Sequence, residues 1–439
     1  MEDTDATRIS DTEKSLIEGL FRSEIEEVDA ESHEKVPLGV GYPSKQLVDE
    51  VSKIMKVACE ERLAEEAVTG NHLLHYGLRM GDPLLRKELA KFLCRHYGYE
   101  VSSKDLLITT GATFGLHHLC SAFFDTGDIV FVEEPSYFIA LTMMEEMGRR
   151  IVHVPFDENG IVTSELEKML QMFYPKDGFV PSKQKLYWSM LYLIPCFQNP
   201  TGCCTSEERC KEVVRLARKY HLLVVCDDLY GALRWGPDTA GRKLAMAQKR
   251  LKYFDKEDDP DFFGNVVSNN SFSKILSPGL RCGWIEAPPV VLAKFVGSGL
   301  LYSGGSFAQF GSGFVGKALE LGLVDDHLLN VCNDYRDKVE CIQQILDKDL
   351  NGIIKYRVPQ GGFFIWIQLP DTMDCETLAE LCNKKYNVSF AKGTSFTKNE
   401  GKLTNFIRIS FSYCEKDKLI SGVRELAAAI LEMHGENSS

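Results

Sequence analysis

From residue 70 onward, short runs of uninterrupted apolar residues recur. Gly, Asp or Pro bounds each one, and amphipathic stretches separate them. Seven read as strands: DLLITTG (105–111), DIVFVEEP (128–135), RRIVHVPF (149–156), LYWSMLYLIPCF (186–197), HLLVVCDD (221–228), NVVSNNSFS (265–273) and CGWIEAP (282–288). Runs this apolar do not alternate between a wet and a dry face, so both faces need a cover. Such strands with helices between them build a parallel sheet with helices on either side. Helical spacing is clear over 45–66, from Ala112, and over 206–220. The expected fold is α/β: a large domain with a mostly parallel seven-stranded sheet sandwiched by helices, plus a smaller α+β domain. The second domain is expected from a long helix at 324–347, KYRVPQGGFFIWIQL (355–369), a helix at 375–386, NVSFAKG (387–393), NFIRISFS (405–412) and a final helix over 415–434. The division reads 1–35, an acidic extension; 36–69, an arm and small-domain segment; 70–320, the large domain; and 321–439, the small domain.

Composition narrows the class. Of 439 residues, 44% are apolar and 26% charged, values of a folded globular chain. The net charge of −13 argues against a protein that holds nucleic acid electrostatically. Residues 1–35 carry 12 acids and 4 bases, so −8 of that charge lies there. Their start, MEDTDATRISDTEK, has neither an apolar h-region nor the arginines of a transit peptide. Leu16, Ile17, Leu20, Phe21 and Ile25 are spaced like a helix face, which suggests a solvated tail with one docking helix or, as the alternative, a substrate lid. The longest uncharged stretch, 295–316, holds seven glycines and four serines, unlike a membrane helix. Fourteen cysteines without regular spacing, and with no CxxC pair, read as reduced and mostly buried thiols rather than metal ligands. The expected location is the cytoplasm. Residues 235–263, rich in Lys and Asp, read as an exposed insertion.

The sharpest chemical segment is NNSFSKILSPGLRCGW (269–284). Lys274 follows a buried strand. A desolvated lysine near other cations has a lowered pKa and forms an imine with an aldehyde. Ser271, Ser273 and Arg281 are the hydroxyls and guanidinium that a phosphate attracts. In VVCDDLYGAL, Asp227 ends a strand, where a carboxylate can hold a pyridinium nitrogen protonated, and Tyr230 could reach a ring oxygen. In isolation Asp227 reads equally as a helix cap, and Asp228 as a cap or an exposed residue. Gly111, Ala112 and Thr113 open a helix after a strand and offer backbone N–H groups to phosphate. Asn199 in CFQNPTG and Tyr137 in EEPSY stand at strand ends, as a ring-oxygen donor and a stacking face. Arg408 sits inside an apolar strand, either as a clamp on a substrate carboxylate or in an internal salt bridge.

Taken together, the segments GYP, HYG, GAT, EPSY, NPTG, DDLY, SFSK with Arg281, GGF and IRISF stand in one order. This set resembles the class I and II aminotransferases, the fold type I enzymes dependent on pyridoxal 5'-phosphate, over about residues 36–429. The resemblance implies that Lys274 is the Schiff-base lysine and proton shuttle, Asp227 the partner of the pyridine nitrogen, and Tyr230 and Asn199 the donors to the phenolate oxygen. It implies Tyr137 as the stacking ring, and Gly111, Ala112, Thr113, Ser271, Ser273 and Arg281 as the phosphate cup. Arg408 matches the α-carboxylate arginine and Gly41 a backbone contact to substrate. Tyr76 resembles a tyrosine that reaches the neighbouring subunit's phosphate, and Ser303–Ser306 a loop lent across the dimer. A homodimer with shared sites is therefore implied, acting on small amino acids and 2-oxo acids, with no nucleic-acid or membrane partner. The reaction implied is ping-pong transamination, with 2-oxoglutarate as one acceptor.

The wording of SFSKILSPGLRCGW and the aromatics Tyr42, Phe363 and Phe364 point toward the 2-aminoadipate, kynurenine and aromatic branch. Arg22 is a second candidate for a substrate carboxylate, or a surface residue. Many relatives have Ser or Gln after the first cup glycine, so Ala112 costs a hydroxyl contact. The same residues would serve a C–S lyase or an elimination like that of aminocyclopropane-carboxylate synthase. A non-catalytic ligand sensor on this fold would need a basic DNA-binding domain ahead of it, and the preceding 35 residues are acidic.

Overall fold

The computed structural model describes residues 35–235 and 246–438. The amphipathic piece from Leu16 to Ile25, and Arg22 within it, lie outside the described residues. The strands in chain order are β1 (Val36–Pro37), β2 (Leu106–Thr109), β3 (Ile129–Glu134), β4 (Arg150–Asp157), β5 (Gly160–Ile161), β6 (Ser189–Leu193), β7 (Leu222–Asp227), β8 (Val266–Ser271), β9 (Gly283–Glu286), β10 (Lys355–Tyr356), β11 (Phe364–Gln368), β12 (Val388–Ser389), β13 (Ala391–Lys392) and β14 (Phe406–Ser410).

The large sheet runs β2-β9-β8-β7-β6-β3-β4-β5. Its centre, β8-β7-β6-β3-β4, is parallel, while β9 runs antiparallel to both neighbours. The seven expected strands are present, and the two-residue β5 extends the edge as an eighth. Every residue of β6, β7 and β8 is buried; β6 and β7 read as nearly unbroken apolar runs, whereas β8 buries Ser268, Asn269, Asn270 and Ser271 in hydrogen bonds. One apolar layer, built on Phe131, Leu191, Val224 and Val266, is covered by helices Thr163–Phe173 and Glu207–Lys219. The other face belongs to a larger core that continues into the second lobe.

That lobe holds an antiparallel sheet in the order β10-β11-β14-β13, with helices Leu323–Asp349, Cys375–Lys385 and Lys416–Ser438. β1 pairs in parallel with β12, and Ser410 N donates to Leu38 O at 2.6 Å. The start of the described chain is thereby tied beside β14. Helix Lys45–Thr69 begins at Ser44, whose Oγ accepts from Leu47 N, and ends at the left-handed Gly70.

One expectation needs correction. Within the 235–263 segment, residues 250–255 are buried or half-buried, while 256–258, 260 and 261 are exposed as expected. Arg250 is 3% exposed and Leu251 and Asp255 are buried. The Arg250 guanidinium donates to Tyr99 Oη (2.8 Å), Ser268 Oγ (3.1 Å) and Glu286, and lies 4.6 Å from the Tyr97 ring. Asp255 accepts from Arg218 and from the amides of Asn265 and Val266. The charge content misleads at Arg250 and Asp255, whose charges are matched inside the fold. Asp228 is corrected likewise. It is neither exposed nor a helix cap, but 1% exposed, accepting from Ser268 Oγ.

Removing one partner of a buried ion pair strands the other charge, at a cost of about 3–5 kcal/mol. Arg250→Ala is expected to lower unfolding free energy in urea by about that amount. Lys53→Ala, on an exposed i,i+3 pair, is expected to change it by less than about 0.5 kcal/mol. Equal effects would contradict the docked reading of this segment.

Candidate active site

The parallel strands end on one side of the sheet, and their carboxyl ends deliver the candidate residues to a single cavity of about 360 Å³. β7 ends in Asp227. β8 leads through Ser271 and Ser273 to Lys274, β6 leads to Asn199, and β3 leads to Tyr137, which precedes helix Phe138–Glu146. Ala112, Thr113, Tyr230 and Arg281 line the same cavity, and the second lobe adds Arg408 from β14 and Gly41 from the segment after β1. Gly111 stands just behind the wall. Tyr76 does not reach the cavity of its own chain and is 89% exposed.

Asp227 is 5% exposed and aimed into the cavity. Tyr192 on β6 donates to its Oδ2 at 2.8 Å, and Asn269, its register partner on β8, donates to its Oδ1 at 3.2 Å. Burial pushes the carboxyl up to about 7, against those two donors and the charge of Lys274. Asn269 also donates to Ala112 O, and it fits because residue 115 is glycine: a Cβ there would lie 2.2 Å from Asn269 Oδ1.

Lys274 Nζ donates to Gly41 O at 2.8 Å. Burial, with the like charge of Arg408, brings its amine down to about 8. Gly41 therefore presents a carbonyl to the lysine, and it cannot grow, because a Cβ would lie 2.8 Å from Phe364.

Arg408 is 4% exposed. Its Nη1 donates to Asn199 Oδ1 at 2.7 Å and its Nη2 to Gly39 O at 2.6 Å, while the guanidinium lies 4.0 Å from the Phe364 ring centroid. Among the described residues it has no carboxylate partner, and its Nε has no partner at all. An internal salt bridge is thus excluded among these residues. Burial lowers its pKa to about 10.

At the far end, Gly111 is left-handed (φ 96°), and a Cβ on it would lie 2.9 Å from Arg281 Nη2. The first N–H groups of helix Ala112–Phe123 have no intrahelical acceptors. Ser271 and Ser273 hydroxyls lie 2.8 Å apart, beside them. Backbone donors at a helix start, two hydroxyls and a guanidinium form a donor set for a phosphate. Of the three aromatics expected near the substrate, Tyr42 and Phe364 line the cavity and Phe363 packs behind it, against Tyr230.

Sequence reasoning passed over the residues that hold these groups. Tyr192 is an aromatic in an apolar strand and reads as core. Asn269 had a signal: an asparagine in a strand buried on both faces needs a polar partner. Glu133 and Gln198 form a further support. Glu133 Oε1 accepts from Ile194 N and Gln198 Nε2, and Gln198 Oε1 accepts from Thr201 N and Oγ1, which shapes the turn carrying Asn199.

Comparison with known proteins agrees with this geometry. The family model for aminotransferase class I and II matches residues 33–426. Aromatic-amino-acid aminotransferase 1 of Thermococcus litoralis is 30% identical, over 96% of this chain and 94% of its own. The crystal structure of Pyrococcus horikoshii kynurenine aminotransferase superposes with a TM-score of 0.77 at 27% identity, covering 98% of this chain and 96% of that one. The alpha-aminoadipate aminotransferase of Thermus thermophilus, solved with N-(5'-phosphopyridoxyl)-L-leucine, gives 0.73 at 28% identity, covering 92% and 94%. The chain belongs to the class I and II aminotransferases. It is a pyridoxal-phosphate-dependent transaminase of fold type I.

A lysine amine is nucleophilic only when deprotonated. In cofactor-free protein, labelling of Lys274 by trinitrobenzenesulfonate is expected to rise with pH through a midpoint near 8, rather than near the ordinary ~10.4. A midpoint above 10 would contradict the desolvated environment.

Proposed function

We propose that the enzyme moves the amino group of an aromatic or kynurenine-type L-amino acid to a 2-oxo acid such as 2-oxoglutarate. The observation that carries this is Arg408, a buried guanidinium facing the cavity of Lys274 with no carboxylate partner among the described residues. A charge left so is costly unless a ligand completes it, and a carboxylate is its natural bidentate partner.

In this reading Gly111, Ala112, Thr113, Ser271, Ser273 and Arg281 hold the cofactor phosphate. Tyr137 stacks on its ring, Asp227 faces its pyridine nitrogen, and Tyr230 and Asn199 face its ring oxygen. Bound there, pyridoxal 5'-phosphate supplies an electron sink for the substrate α-carbon. Arg408 grips the α-carboxylate, with Asn199 and the Gly39–Gly41 backbone orienting the clamp. Lys274, its amine held near neutral, takes the α-proton at Nζ and returns it on the other side of the reaction. Tyr192 and Asn269 favour the ionised form of Asp227. Tyr42, Leu116, Ile139 and Met143 form an apolar part of the cavity wall. That wall supports an aromatic side chain over a second carboxylate.

We infer that a second copy of the chain completes the site. Leu74, Tyr76, Leu78, Tyr302, Phe307 and Phe310 are 45–89% exposed. They share one patch, in which Tyr76 approaches Gly304 and Phe307 packs on Phe114. Residues 70–320 serve as the cofactor lobe, and 36–69 with 321–439 as the smaller lobe. A cytoplasmic site fits fourteen unpaired thiols.

The test is a donor panel with 2-oxoglutarate. Phenylalanine or kynurenine is expected to yield glutamate with kcat/KM at least about tenfold above aspartate. Ammonia and pyruvate without glutamate would contradict transamination. Light scattering is expected to give twice the 49.4 kDa chain mass, and a monomer would contradict the shared site. In reconstituted protein, Lys274→Ala is expected to lose the borohydride-reducible visible absorbance. Its persistence would refute the assignment of this lysine.

A further inference from the structure

Two cysteines that the transamination chemistry does not use stand at the base of the turn that carries Asn199. After β6 the chain leaves the sheet through Pro195–Gln198 and returns through Cys203–Thr205. Thr205 N donates to Pro195 O at 2.7 Å and Gln198 N to Cys203 O at 2.8 Å. These two bonds hold the segments carrying Cys196 and Cys204 side by side, with Phe197, at φ 49°, as the extra residue between them. Facing antiparallel segments bring Cα atoms to about 4.5–5.5 Å, within the roughly 4.4–6.8 Å range that a disulfide spans. The sulfurs already stand 3.9 Å apart. Cys196 is buried, whereas Cys204 is half-buried and borders an open groove with Tyr97, Thr205 and Arg234.

We propose that Cys196 and Cys204 form a dithiol that peroxide closes to a disulfide, locking the turn that presents Asn199 to Arg408. Cys204 is the attacking sulfur. The hydrogen bond shared with Cys196 draws its thiol below the ordinary range against the effect of burial, helped by the Phe197 amide at 3.4 Å and the fields of Arg234 and Arg357. Its thiolate attacks one peroxide oxygen: an S–O bond forms, the O–O bond breaks, and the departing hydroxide takes a proton to leave as water. The Cys196 sulfur then attacks the sulfenic sulfur, the S–S bond forms, the S–O bond breaks, and the hydroxyl leaves as a second water with the Cys196 proton. Two thiols lose two electrons in all, and one hydrogen peroxide gains them. Cys203 is excluded from the pair. Its sulfur points to Thr201 O and Arg357, each at 3.9 Å, and burial raises its thiol.

The closed ring holds Asn199, whose Oδ1 accepts from Arg408. Tethering its base restrains the adjustment of that clamp around a carboxylate. Full-length holoenzyme treated with a small molar excess of hydrogen peroxide is expected to lose 2 Da per chain. Peptide mapping should place the link between Cys196 and Cys204. KM for the amino donor should rise at least threefold, with recovery by dithiothreitol and no loss of bound-cofactor absorbance. Cys203→Ser should respond as the parent does, while Cys204→Ser should show neither the link nor the KM change. Cys196→Ser should leave Cys204 open to a dimedone adduct. Oxidation confined to Cys203, or no link between the two sulfurs, would overturn the assignment. A mapped link with unchanged KM would overturn its coupling to Asn199.

Discussion

The structure turns on placing three ionisable groups, Lys274, Asp227 and Arg408, in one cavity without letting them neutralise each other in a closed ion pair. Burial pushes each toward its neutral form, the carboxyl up and the two bases down. What keeps them usable is a ring of specific hydrogen bonds, donated to Asp227 by Tyr192 and Asn269 and accepted from Lys274 and Arg408 by Gly41 O, Asn199 Oδ1 and Gly39 O. A cavity so arranged leaves a carboxylate, a nucleophilic amine and a guanidinium each short of one partner. In the proposed reaction an anionic, aldehyde-bearing cofactor and an amino acid supply those partners.

Both lobes are needed for that arrangement. Asp227 and Lys274 come from the large sheet, while Arg408 comes from β14 of the smaller one, and the Gly39–Gly41 backbone is tied beside it through β1 and β12. The lobes also meet at Glu134, the last residue of β3, which accepts from Thr397, Asn399 and Lys402, while Ser136 N donates to Phe396 O. Tyr137, which lines the cavity, follows directly on these contacts, so it and Arg408 share one mechanical frame.

Much of this could be read from the chain because the physics is local. A strand covered on both faces is mostly apolar, so β6 and β7 announced themselves, and a polar residue at the end of such a strand is either a cap or a site. Asp227, Lys274 and Asn199 were recognisable on that ground. Arg408 was recognisable as a charge in an apolar strand, but whether it clamped a ligand or paired internally depended on what faced it across the lobes. Tyr192 stayed hidden because an aromatic in a buried strand has no signature of its hydroxyl's partner. Arg250 and Asp228 stayed hidden because a matched buried charge looks, along the chain, the same as a solvated one. The edge strand β5, only two residues long and antiparallel, is set by its neighbour rather than by any pattern of its own.

The most direct test of the central claim is a single half-reaction. Holoenzyme mixed with phenylalanine in the absence of any 2-oxo acid should convert one equivalent of donor per site to phenylpyruvate and then stop. The nitrogen should be retained on the protein-bound cofactor until 2-oxoglutarate is added. Continuous turnover with release of ammonia, or no oxo acid at all, would contradict the account.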